Sequence, residues 1–357
     1  MSDATTIDLS RLPPPAIIET LDFELIFNEM LVDLQTRDAV FSALVESDPA
    51  YKILEVAAYR ELLLRQRVNE SAKACLLATA LGADLDNLVV WWGVTRLEIT
   101  PADNIAVPPI DAVMESDEAL RYRTQLALNQ FTTAGATNAY VFHGLSASGQ
   151  VKDISVESPE YHIDAGLIVF DDSASLDNPK PNNVAVTVLS KTASGIPDTA
   201  LVATIDEALN ADNIRPLTDI LVTRPAEIVN YSIKAVLHLY PGIAADYVTG
   251  LAMDAANAYV DKRHKLGGRV AVSGVYEALH QEGVRFVELL KPFVDVVTRL
   301  HQAPFCTDIM LTDSYSTTDK TALRDGTYRH DGALKRSAGI NFRDGSVSRD
   351  GSINRSF

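Results

Sequence analysis

The segment from Asp48 to Gly82 constrains this chain most. Asp48 stands where a helix N-cap belongs, Pro49 suits the first helical position, and Gly82 suits a C-terminal stop. A helix across that span has about 33 residues and a length of roughly 50 Å at 1.5 Å per residue. Its apolar positions fall on two faces. Leu54, Ala58, Leu62, Ala72 and Leu76 form one, and Ile53, Val56, Leu63, Ala74 and Leu77 form the other, with a polar block from Arg65 to Glu70 between them. Such a helix needs partners on more than one side, and the N-terminal region supplies only one other long helix. We read it as completed by another chain; packing on the protein's own C-terminal half is the alternative.

Around this helix the pattern is mixed. Leu12-Pro13-Pro14-Pro15 is extended, because each ring fixes φ and biases the residue before it away from the helical region. Leu21, Ile26, Met30 and Leu34 recur at helical spacing and predict a first helix over residues 17 to 34. Asp84 caps a short helix through Trp92 that Gly93 ends, with Trp91 and Trp92 expected to pack in a core or hinge. Pro101, Pro108 and Pro109 make residues 100 to 111 a linker. Helices follow at 116 to 130 and 138 to 145, then strands at 151 to 156, 166 to 170 and 184 to 189. A helix over 197 to 210 leads to a short strand at 220 to 222. From Ile228 to Tyr240, Tyr231, Ile233, Ala235, Leu237 and Leu239 alternate with polar residues, which predicts a long half-buried strand. A helix to His264 carries Tyr247, Leu251 and Tyr259 on one stripe. Ser273 caps another, and strands return at 284 to 290 and 305 to 311. The fold class is α+β, with no regular parallel repeat. The division expected is a helical arm and bundle-forming region (1–100), a linker (101–113), two α+β domains (114–240 and 241–322) and a short tail (323–357).

Composition narrows the partners. The chain has 357 residues, 47% of them hydrophobic and 22% charged, which fits two or three globular domains. Lys and Arg total 31 against 48 Asp and Glu, a net charge of −17 that argues against binding nucleic acid or an anionic membrane surface. Cys75 and Cys306 are too few for a disulfide framework; they point to a reducing compartment and read as small buried hydrophobes. Residues 1 to 10 do not look like a signal peptide, and no run of 18 apolar residues predicts a membrane span. The expectation is a soluble protein made in a cytoplasm.

Catalytic and cofactor patterns were sought. Gly144 to Gly149 has the glycine spacing of a phosphate-binding loop, but Gln150 and Val151 stand where Lys and Ser or Thr are required. His301 and Cys306 lack the second close pair of a zinc site. Asp84/Asp86 and Asp171/Asp172 fit a cap and a loop better than an acid/base pair. The Asn-x-Ser/Thr triplets at Asn69, Asn230 and Asn354 are uninformative without a secretion signal. No catalytic residue, metal or cofactor is assigned, and an assembly protein is favoured over an enzyme.

Several segments taken together resemble a known family. They are Leu12-Pro13-Pro14-Pro15, Leu21-Asp22-Phe23-Glu24, Tyr59-Arg60-Glu61, Arg65-Gln66-Arg67 with Asn69-Glu70, and Gly82-Ala83-Asp84-Leu85-Asp86. Beyond the linker come Glu115, Asp117, Arg121 and Arg123, then Arg215-Pro216-Leu217-Thr218-Asp219, then the stretch from Gly283 to Pro292. The pattern, over about residues 10 to 312, is similar to the J-type baseplate proteins of contractile-tailed phages and related contractile particles. That resemblance implies a wedge subunit of the virion tail baseplate, assembled in the host bacterial cytoplasm. In such a wedge two copies join a different wedge protein through a helical bundle, and neighbouring wedges close into a sixfold ring through their α+β domains. It implies an interface on the long helix, at Tyr59, Leu62, Leu63, Arg65, Arg67, Asn69 and Glu70, with the polar residues setting register. A solvated stretch of helix is the alternative for the polar block. A tail adhesin or a cell-wall hydrolase is the alternative function.

The last 35 residues differ from the rest. Residues 323 to 357 hold seven basic and four acidic side chains, +3, so the remainder carries −20. The 13 residues from Arg324 to Arg336 align with those from Arg343 to Arg355, each with paired Asp-Gly steps suited to tight turns. A β-rich appendage and a disordered basic tail are the two readings.

Overall fold

The computed structural model describes residues 6–132, 135–192, 194–242 and 244–315; the repeats of residues 323–357 lie outside these. The chain divides into two compact units. One holds the described residues up to Val229 with Lys265–Gly268 and Thr298–Ala303, and the other holds Asn230–His264, Arg269–Val297 and the described residues from Pro304.

The first unit opens with α1 (Phe23–Arg37) and α2 (Pro49–Ala74). The first helix starts later than expected because Asp22 is its cap, accepting from the amides of Glu24 at 2.8 Å and Leu25 at 3.3 Å. The two helices enclose a small core of Ile26, Phe27 and Ala58, with Leu54 and Leu62 against it. At 26 residues α2 is shorter than predicted, about 39 Å. Past Ala74 the chain turns: the Thr79 hydroxyl donates to Lys73 O at 2.6 Å, and Leu76 N donates to the same carbonyl at 3.2 Å. The helical ladder thus ends at Ala74, short of the Gly82 stop that the sequence suggests. Gly82 instead opens α3 (Gly82–Val89), at a left-handed φ of 51° that favours glycine. A single turn to Trp92 and a left-handed Gly93 close it, as expected.

Residues 101–113, expected as a linker, run out and back. Strand β1 (Glu98–Thr100) pairs with β2 (Val113–Met114), and Asp103 bridges Ile110. Next come α4 (Asp117–Leu126), capped by Ser116, and α5 (Thr137–Ala147). Four strands follow: β3 (Val151–Glu157), β4 (Glu160–Asp164), β5 (Leu167–Asp172) and β6 (Asn183–Ser190). Helix α6 (Thr199–Leu209), capped by Asp198, returns the chain to β7 (Ile220–Pro225), which lies parallel to β6. The sheet order is β3-β6-β7, and β4-β5 is a separate pair. The sheet and α3 to α6 share one core, in which Leu85, Leu120, Tyr140, Val188 and Ile205 are buried.

The second unit is built on β8 (Glu227–Leu239), whose Tyr231, Ile233, Ala235, Leu237 and Leu239 are buried in the alternation expected. Helix α7 (Ala245–Arg263) packs through Val248, Ala252 and Ala256. Tyr247 and Leu251, predicted on the inner stripe, are exposed, because small residues let the helix lie close to its neighbours. The remaining elements are β9 (Arg269–Val270), α8 (Val272–Leu279), β10 (Val284–Lys291), β11 (Val296–Val297) and β12 (Gln302–Tyr315). The main sheet has the order β10-β8-β12.

Candidate assembly interface

The predicted residues on α2 separate into two groups. Leu62 faces α1 and packs on the Ile26/Phe27/Ala58 core. Asn69 is also turned inward: its side chain donates to Glu19 O at 2.8 Å and accepts from Glu19 N at 3.1 Å, clasping the extended segment that follows the prolines. Arg65 bonds Glu61 one turn back and reaches Glu19 at 3.4 Å. The hydrogen bond to Glu61 raises the Arg65 pKa further above its ordinary value. Tyr59, Arg67 and Glu70 are exposed, Leu63 is at the edge of exposure, and Glu70 accepts from Gln66 at 2.9 Å. The polar block is thus half intramolecular clamp and half open surface.

The second apolar face is real, though its members shift. Ile53, Val56, Leu64 and Val68 lie at helical spacing opposite the buried side and are 69, 62, 66 and 51% exposed. Leu25 and Val32 on α1 and Val40 and Val45 between the helices are exposed as well. So many uncovered β-branched and leucine side chains on two helices exceed the single exposed residues usual on a monomer.

The charged residues of the family-like pattern are internal. Arg123 and Glu115 form a buried pair at 2.6 Å; Arg123 also donates to Thr95 O, and Glu115 accepts from Leu97 N at 3.2 Å. Arg96, which the sequence did not single out, is a hub. It meets Asp86 and Asp117 at 2.7 Å each and the Glu115 carbonyl at 2.6 Å. Asp117 also accepts from Gly82 N, and its hydrogen bonds, that from Arg96 foremost, hold its pKa below the ordinary carboxylate range. Together these contacts tie α3 and the residues that flank the β1–β2 pair, Thr95 to Leu97 and Glu115, to α4. The Arg215–Asp219 segment is likewise held. Arg215 donates to Asp219 O at 2.7 Å and the Tyr140 hydroxyl to Asp219 Oδ2 at 2.7 Å, while burial and then that carboxylate raise the Tyr140 pKa. A side chain at Gly135 would meet Asp219 Oδ2 at 2.8 Å, and its φ of 70° favours glycine.

Other expectations change. Trp91 and Trp92, expected in packing, are exposed, Trp91 at 88%. The turn that Gly93 closes points them outward, and Gln130 holds it by donating to Trp92 O at 3.1 Å. Cys75 is exposed rather than buried because α2 ends there, whereas Cys306 is partly buried. His301 meets Ser175 at 3.1 Å and Cys306 meets Asp308 O at 3.4 Å. Asp171 and Asp172, expected in a loop, end β5 instead, where Asp172 accepts from Ala174 N and Asp171 pairs with His162 at 3.0 Å; Asp84, expected as a cap, lies inside the first turn of α3. Among the described residues no three His, Cys, Asp or Glu side chains group to hold a metal, and no helix is long and apolar enough to cross a membrane.

Uncovered apolar faces over an internally clamped framework define an assembly subunit. Comparison with known proteins supplies the family. Residues 46–103 match the Baseplate J-like N-terminal domain. The chain is 42% identical over 309 residues to baseplate protein J of Escherichia phage P2, covering 85% of this chain and 96% of that protein. The chain belongs to the baseplate J family, structural proteins of the contractile-tail baseplate.

Proposed function

We propose that this chain is a baseplate wedge subunit whose α1–α2 hairpin joins a second copy of itself and a different wedge protein in a helical bundle. Neighbouring wedges then close into a sixfold ring, a heterologous contact that rotation can close. Assembly takes place in the host bacterial cytoplasm, before the baseplate joins the virion tail. Residues 1–100 serve as the bundle-forming arm, 101–113 as its connection, and 114–240 and 241–322 as the bodies that meet neighbours. The observation that carries this reading is the outer face of α2, where Ile53, Val56, Leu64 and Val68 are apolar and uncovered opposite a face already packed on α1. Covering each is worth up to about 1.5–3 kcal/mol for a full side chain, enough for a few such positions to drive association. Tyr59, Leu63, Arg67 and Glu70 border this face, and Arg67 offers a bidentate donor for a partner carboxylate.

The test is co-expression with the wedge partner and purification of the complex. Leu64→Asp should leave the isolated chain folded, since Leu64 is exposed, and abolish recovery of the complex. Retention of the partner at the unsubstituted level would refute the reading.

A further inference from the structure

We propose that the β4–β5 hairpin joins two copies of this chain, by antiparallel pairing of β5 with the second copy's β5 about Val169 to form one four-stranded sheet. The hairpin forms a sheet of its own, and every residue of β4 and all of β5 but Phe170 is exposed. Its two-residue turn, Ala165 at φ 48° and Gly166 at φ 83°, is the positive-φ turn that fixes hairpin register, so the element is well specified. Yet a lone two-stranded hairpin is marginal in water, and this one leaves Ile163, Leu167, Ile168 and Val169 uncovered.

The two outer edges differ. β4 carries a device that discourages edge pairing, Glu160 and Asp164 at its ends. From Leu167 to Phe170, β5 has no charge or proline, and the extra residue it carries against β4, Asp171, lies past that stretch and ends it. Charge decides which strand meets its own copy. Two β4 strands paired about His162 would set Glu160 opposite the second copy's Asp164 twice, a repulsive arrangement. Two β5 strands paired about Val169 set Ile168 opposite Phe170 on either side of the central pair, with no charges opposed. The outer edges of the resulting sheet are then the two β4 strands, so pairing stops at two copies rather than growing into a fibre.

The proposal rests on the wedge reading only in placing two copies together, and its test needs no wedge partner. The full chain carrying Cys75→Ser, Cys306→Ser and Val169→Cys is oxidised with copper phenanthroline and oxygen. Opposed Val169 positions lie about 4.5–5.5 Å apart, within disulfide reach, so a dimer of twice 38.8 kDa is expected. Ile163→Cys in the same background should stay monomeric, and adding Ile168→Lys to Val169→Cys should remove the dimer. Three results would overturn the proposal: equal dimer from both cysteine variants, a dimer that survives Ile168→Lys, or cross-linking of Val169→Cys only to a different protein in the assembled tail. Failure of the α2 reading alone would leave this cross-link intact.

Discussion

Asn69 offers the sharpest test of how the arm is built. Its carboxamide makes two hydrogen bonds to the backbone of Glu19, fifty residues away, in the manner of a strand edge. Asn69→Ala removes both. Each is worth about 1 kcal/mol net, and the Glu19 groups it frees can turn to water, so no penalty for a stranded buried group is added. The Arg65–Glu19 pair, exposed and 3.4 Å long, is left in place by this substitution. The sum is about 2 kcal/mol, a roughly 30-fold rise in the opening equilibrium of the segment after the prolines. Native-state hydrogen exchange reads this directly. The Glu19 amide should exchange roughly 30-fold faster in the variant, while amides inside α2 keep their rates. Asn69→Asp should retain the bond from Glu19 N and lose the one to Glu19 O, where a carboxylate now faces a carbonyl. Two results would refute the reasoning: an unchanged Glu19 rate in Asn69→Ala, or an equal acceleration throughout α2.

Two further predictions concern the first unit. Arg123→Met leaves Glu115 buried without its cation and should cost about 3–5 kcal/mol in the unit's unfolding transition, while the double change with Glu115→Leu should recover much of the loss; a single change that unfolds at the unsubstituted denaturant concentration would count against a closed pair. Asp153 accepts from Ile154 N and Leu266 N, and burial, opposed by those two bonds, pushes its pKa from 3.8 to about 6. A folded pKa above the unfolded one means this stability is present below pH 3.8 and lost as pH rises through about 6. The loss is at most about 3 kcal/mol, and the unfolding midpoint of the unsubstituted chain should fall relative to that of Asp153→Asn from pH 4 to pH 7. A constant difference would show that the carboxyl does not titrate in that window.

Sequence patterns revealed elements where local chemistry decides the outcome. The alternation along β8 survives because one face must be buried, and the Gly93 and Ser116 signals hold because a left-handed turn and a helix cap are settled by neighbouring residues. The end of α2 was not legible, because the turn that closes it is held by a side chain beyond the helix, the Thr79 hydroxyl on the Lys73 carbonyl. β4 escaped notice because its Glu-Tyr-His-Ile-Asp sequence buries nothing and so carries no core signal. Arg96 was missed for a different reason: a lone arginine near a strand has no pattern until the fold brings Asp86 and Asp117 to it.

The division of labour on α2 follows from the same physics. Arg65 and Asn69, the polar residues most conspicuous in the sequence, have partners within the chain, because a half-buried polar group is tolerated only where its hydrogen bonds are met. An interface that must stay soluble before assembly is better served by apolar residues spread along a helix than by unpaired buried charge, whose desolvation offsets most of what pairing returns. Ile53, Val56, Leu64 and Val68 fit that description, and on a chain of net charge −17 their neutral surface is where two copies can approach with least repulsion. Arg67 and Glu70 then remain at the margin, where a charge chooses among partners more than it strengthens any one of them. Substitution at Leu64 should therefore remove binding, and substitution at Arg67 should change which partner or register is accepted.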